Sequence, residues 1–139
     1  MVADRAAARD AILALLKTAL AGESALTICY DDTDTQPPAA VTSSWMRVQV
    51  KHANGTRATL GTTAKHTQTG VLFVELYTPA GNGRRDADRI AGLVADAYTG
   101  KTTDQGGISF HDVAVKEIGV DEGWTQTNID VQFEYDLVR

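Results

Sequence analysis

An α+β fold, a mixed and mainly antiparallel sheet covered by two helices, is what the patterning of this chain predicts. Three observations carry that expectation. Two stretches place apolar residues at helical spacing, several others alternate with a period of two, and an Asn-Gly pair follows one alternating run. At 139 residues the whole chain, 1–139, fits a single domain with one core.

The first helix is expected from about Asp4 to Leu20. Its composition is alanine-rich, and Ala8, Ile12, Leu15, Leu16 and Ala19 share one face before Gly22 ends it. A short strand, Leu26–Tyr30, follows. The stretch from Asp31 to Ser44 reads as a long loop, and long loops in compact domains are usually functional or mobile. Its aspartates suggest a calcium loop, but the central glycine and terminal glutamate are missing, so no metal is expected.

Trp45–Lys51 alternates, with Met46, Val48 and Val50 on one side and Trp45, Arg47, Gln49 and Lys51 on the other. Asn54-Gly55 predicts a hairpin that returns antiparallel through Thr56 to Leu60. Gly61–Gly70 is polar and reads as a loop or frayed edge. Gly70–Thr78 is almost continuously apolar, the pattern of a central strand covered on both sides. A second helix is expected over Arg84–Tyr98, burying Ala87, Ile90, Ala91, Val94 and Tyr98. Strands near Ile108–Phe110 and Val113–Val120 come next. From Thr125 to Leu137, Ile129, Val131, Phe133, Tyr135 and Leu137 alternate with Asn128, Asp130, Gln132, Glu134 and Asp136, giving one core face and one acidic face. The order is α-β-β-β-β-α-β-β.

Material for catalysis is thin. Gly81 and Gly83 open the second helix, yet Asp86 stands where a dinucleotide fingerprint needs its third glycine. A carboxylate there occupies the anion's place at the helix N-terminus. No Gly-Lys-Ser/Thr directly follows the Gly81–Gly83 turn, so a Walker turn is excluded there. A turn whose glycines permit positive φ is the plainer reading. The other reading is a small cytoplasmic enzyme or nucleotide binder in which Arg84 and Arg85 hold a phosphate. His52, His66 and His111 are isolated, and Ser109 lacks a nucleophile elbow. Cys29, the one cysteine, reads as a structural thiol. No catalytic residue, metal or cofactor is expected.

Net charge is −5, which argues against a dedicated nucleic-acid binder. The charge is uneven. No acidic residue lies between Asp34 and Glu75, where Arg47, Lys51, Arg57 and Lys65 fall; the rest of the chain holds 9 basic and 18 acidic groups. Such a split suits docking onto further copies, or a basic face toward DNA with Trp45 as the one stacking platform. No apolar stretch approaches a membrane span and no signal-peptide pattern is visible, so a soluble protein made in a reducing cytoplasm is expected.

Read in order, Trp45-Met-Arg47-Val48, Ala58-Thr-Leu60-Gly61, Gly70-Val-Leu-Phe-Val-Glu-Leu-Tyr-Thr-Pro79-Ala-Gly81-x-Gly83, Val120-Asp-Glu-Gly123-Trp124-Thr-Gln126-Thr-Asn128 and Phe133-Glu-Tyr135-Asp136 resemble the tail terminator proteins of long-tailed bacteriophages. The individual motifs are loose; their order and spacing carry the resemblance, which covers nearly the whole chain. It implies a non-enzymatic virion protein, made in the host cytoplasm, at the head-proximal end of the tail. Such a protein forms a homo-oligomeric, hexameric ring on the tail tube protein and stops tube growth. It then offers the docking surface for the DNA-filled head and its connector protein, while double-stranded DNA passes unread through the lumen and no membrane is involved. A head–tail connector or neck joining protein is the alternative.

A ring needs heterologous contacts, one patch against a different patch. The charge split suggests Trp45, Arg47, Lys51 and Arg57 on one side of such a contact and Asp130, Glu134 and Asp136 on the other. Alternatively Arg47, Lys51 and Arg57 line the lumen. The polar stretches Asp31–Ser44 and Gly61–Thr69 then read as segments that order only against the tube, the connector or a neighbour.

Overall fold

Asp4 starts helix α1 (Arg5–Ala19) by accepting a hydrogen bond from the Ala7 amide at 2.8 Å, which satisfies a donor the first helical turn leaves free. Ala8, Ile12 and Leu16 are its buried stripe, with Leu15 and Ala19 half-buried beside it. The computed structural model describes residues 4–31, 33, 35–38, 41, 43–53, 56–57, 65–81, 83–102 and 107–138. Strands β1 (Thr27–Tyr30), β2 (Trp45–His52), β3 (Thr56–Arg57) and β4 (Lys65–Pro79) follow, then α2 (Arg85–Tyr98), β5 (Ile108–Asp121) and β6 (Trp124–Val138).

The six strands form one sheet in the order β1-β2-β4-β6-β5, with β3 also on β4. β1 runs parallel to β2 and every other pair is antiparallel. The α+β class and the mainly antiparallel sheet therefore stand. Register divides the sheet cleanly. Met46, Leu76 and Thr127 share one row, Val48, Val74 and Ile129 the next, and Val50, Leu72 and Val131 the third. All these side chains are buried on the face that meets Ile90, Ala91, Val94, Tyr98 and the α1 stripe. Full burial of one such aliphatic side chain contributes roughly 1.5–3 kcal/mol. Tyr98 joins the helices by donating its hydroxyl to the Ile12 carbonyl at 2.7 Å. Burial in that position raises its pKa.

Four expectations need correction. The antiparallel partner of β2 is β4, not the segment after Asn54-Gly55; β3 pairs with β4 as well. Eight register pairs with an apolar strand outweigh a short local return. Asn54, Gly55 and residues 58–64 lie outside the described residues. The polar stretch from Lys65 to Thr69 is strand, because β6 is long enough to pair with all of β4 (Lys65↔Val138 to Pro79↔Trp124). β4 is covered on one face only: Leu72, Val74 and Leu76 are buried while Val71, Phe73, Glu75 and Tyr77 are intermediate. Finally, the two expected strands around His111-Asp112 are one strand, β5, with a register shift between Phe110 and Val113. A bulge absorbs the break in alternation.

The helices also cover less than the full sheet. Ile108 and Phe110 of β5 are buried, but Ala114–Asp121 is exposed throughout, so the β5–β6 hairpin reaches past α2. Its turn, Glu122-Gly123, has φ of +50° and +85°.

Candidate functional site

The sheet face opposite the helices is the surface that collects the sequence's candidates. Strand alternation places Trp45, Arg47, Gln49 and Lys51 of β2 there, together with the even-numbered residues of β6. Four rows follow from register: Trp45–Tyr77–Gln126, Arg47–Glu75–Asn128–Lys116, Gln49–Phe73–Asp130–Ala114 and Lys51–Val71–Gln132. Thr69–Glu134–Ser109 and Thr67–Asp136 continue the series. Trp45, Arg47, Lys51, Asp130, Glu134 and Asp136 thus share one face, with β4 between the basic and the acidic groups. Arg57 lies in β3 opposite His66, and its side chain is outside the described residues.

Trp45 is buried rather than an open platform. Its ring stacks on Tyr77 at 4.3 Å and meets Trp124 edge-on at 6.3 Å. Among the described residues its Nε1 has no hydrogen-bond acceptor. The Arg47 guanidinium lies 5.4 Å from the Trp45 ring centroid and 3.6 Å from Glu75. Tyr77 donates to Glu75 at 2.7 Å. Burial first, then that bond and the Glu75 charge, push the Tyr77 phenol up to about 12. Asp130 accepts from Lys116 Nζ at 2.9 Å, Asp136 accepts from Thr67 at 2.9 Å, and Glu134 is 4.0 Å from His111 Nε2. The Lys116–Asp130 ion pair, at the surface, contributes about 0–1 kcal/mol. Carboxylates held this way act as charge and hydrogen-bond partners on a sheet surface.

The Gly81–Gly83 turn shows glycines at φ +96° and +77°. Arg84 is engaged by Asp88, Glu117 and Thr127, and Asp86 lies 3.7 Å from Arg89. Arg89 also pairs with Glu23, tying α2 to the turn after α1. Arg84 is thus already committed to protein partners, and the turn serves the handover from β4 to α2. Cys29 is buried and its thiol is raised by burial, with Arg47 opposing, which suits a structural role.

A second feature was not anticipated from the sequence. Arg5, Arg9 and Leu13 of α1, Tyr30 and Asp31 of β1 and its end, and Val48, Val50, Lys51 and His52 of β2 line a concave pocket of about 550 Å³. It sits where β1 stops at Val48 and leaves the rest of β2 as sheet edge. Arg9 donates to the Val50 carbonyl at 2.9 Å, and Arg5 to Gln68 at 3.2 Å. His52 contacts the Tyr135 hydroxyl at 2.6 Å through Nε2. Burial lowers its pKa, and Arg5 and Arg9 lower it further. The only available signal was the i, i+4 spacing of Arg5 and Arg9, which puts both guanidinium groups on one helical face.

Comparison with known proteins supplies the remaining evidence. One solved chain shares 20% identity over 91% of this chain and 94% of its own length, with a TM-score of 0.62. Another, from the virion of a native gene transfer agent particle, shares 20% identity over 92% of each chain with a TM-score of 0.52. At that identity the likeness concerns the fold. Comparison with curated proteins gave no match. The family model described as phage tail terminator protein matches residues 7–133, nearly all of both helices and the sheet, and the chain belongs to that family.

Proposed function

We propose that this phage tail protein caps the tail tube as a six-membered ring, stops tube growth and presents the surface on which the DNA-filled head docks. Beyond the family match, the observation that supports this reading most is the open sheet face. Among the described residues no helix covers it, yet it carries Val71, Phe73 and Tyr77, and an indole N–H beneath it finds no acceptor. Buried donors are nearly always satisfied, so a partner that supplies an acceptor completes the surface.

Because Arg47 and Lys51 share this face with Asp130, Glu134 and Asp136, pairing it with itself gives a two-fold dimer, whereas a ring needs two different patches. In our reading the open face turns toward the tube protein and the connector, with double-stranded DNA passing through the lumen without sequence recognition. Of the two polar stretches, 31–44 is a candidate contact with those partners, whereas 65–69 is already paired with β6 as part of β4. The role requires no catalysis and no cofactor. The protein is made in the host cytoplasm and ends at the head-proximal tip of the tail.

Electron microscopy of particles assembled without the protein tests the reading. Tails that exceed their normal length and carry no heads are the expected result. Tails of normal length that merely lack heads overturn it in favour of a neck protein.

A further inference from the structure

The two outer edges of the sheet carry opposite charge and complementary shape. At one edge the β5–β6 hairpin projects past α2. Among the described residues four large hydrophobics are exposed, and three of them, Val115, Ile118 and Val120, lie in this one strand. The tip adds Asp121 and Glu122, exposed and outside every ion pair of the described residues. At the other edge the concave pocket presents Arg5, Arg9 and His52 around Leu13, Tyr30, Val48 and Val50, with Lys51 at its rim, where strand alternation turns it toward the open face, and Asp31 the one carboxylate of the lining. Among the described residues no ion pair reaches Arg5, Arg9 or Lys51. Four strand spacings, about 19 Å, separate the edges.

We propose that the acidic, apolar β5–β6 tip of one copy seats in the Arg5–Arg9–Lys51–His52 pocket of the next. The inference rests on the ring reading and deepens it by naming both halves of the contact. Opposite edges rule out insertion of the tip into its own pocket, and a head-to-tail contact of this kind closes into a ring or runs on as a filament.

The turn itself supports a role for the tip carboxylate. Glu122 is the one non-glycine with positive φ among the described residues. The first position of such a two-residue turn favours Asn, Asp or Gly, and a glutamate held there carries a conformational cost. A glutamate that serves a contact explains the choice.

Charge exchange tests the pairing. One variant carries Asp121→Lys and Glu122→Lys; a second carries Arg5→Glu and Arg9→Glu. Circular dichroism confirms that each folds. Self-association is read by native mass spectrometry, and 15N-labelled and unlabelled copies are joined by a carbodiimide that links Glu122 to Lys51 only at contact. Each variant alone should associate at least about tenfold more weakly than the natural chain. Their equimolar mixture should recover assembly, since each then meets the complementary charge. Glu122→Asn should raise the melting temperature of the isolated chain and still weaken assembly.

Full assembly by both charge variants, or a mixture that stays apart, overturns the proposal. Loss with the pocket variant alone also overturns it and assigns the pocket to another ligand, such as DNA phosphate. A heavy–light cross-link in a chain that leaves tail length uncontrolled keeps the contact and discards the capping role.

Discussion

Gly70 is where the core tolerates least change. A Cβ there would stand 2.4 Å from both the Lys51 carbonyl oxygen and Phe133 Cζ, because the Phe133 ring lies over the glycine that faces it across the ladder. Gly70→Ala should cost about 1–3 kcal/mol, read as a lower urea midpoint. Gly92, inside α2 with open space around it, should respond oppositely, gaining about 0.5–1 kcal/mol as alanine. Tyr98→Phe removes the bond to Ile12 and should cost about 1 kcal/mol. His52 makes stability depend on pH in a predictable sense. Its folded pKa lies below the ordinary 6.5, so the unfolded chain binds the proton more readily. Its contribution is complete above pH 6.5 and is lost as pH falls toward the folded value. Urea titrations across that interval should show a shallower decline for His52→Gln.

At the scale of elements, the patterns that sequence made legible were those with local periodicity. The α2 stripe Ala87–Ile90–Ala91–Val94–Tyr98 and the alternation of Ile129 to Leu137 are both as expected. Pairing was less legible. Asn54-Gly55 reports only what the chain does over four residues, whereas the partner of β2 was decided by β4, a strand whose apolar length misled in another way. Val71, Phe73 and Tyr77 gave β4 the look of a strand buried twice, when that second apolar face is the open one. Of the site, alternation placed Trp45, Arg47 and Lys51 together and Asp130, Glu134 and Asp136 together. Their union on one surface depended on the long-range β2–β4–β6 order, which no local signal encodes. Hydrogen exchange should rank the elements accordingly. Amides of β4 and β6, each flanked by neighbours, should exchange slowest, and those of β1 and the outer half of β5 fastest.

For the whole molecule, the distribution of charge matters more than its sum. A net charge of −5 keeps free copies apart, while the basic pocket and the acidic tip attract locally. Assembly should therefore be salt-sensitive, weakening as ionic strength rises from about 0.05 to 0.5 M because the Debye length shrinks below the reach of those contacts. Sedimentation across that range measures it. A salt-independent assembly would shift the weight to the apolar trio on β5.

The parallel pairing of β1 with β2 sets the length of what joins them. Tyr30 leaves at one end of the pair and Trp45 must enter at the other, a crossover that takes a dozen residues or more. Fourteen residues, 31–44, are present, so the connection is a cord cut close to its minimum. Val41 lies against the Gly123 turn on its way. Removing four or more residues would leave β1 unable to reach its own place. The vacated edge of β2 would then be free to take β1 from another copy, exchanging strands where the intact chain keeps its own.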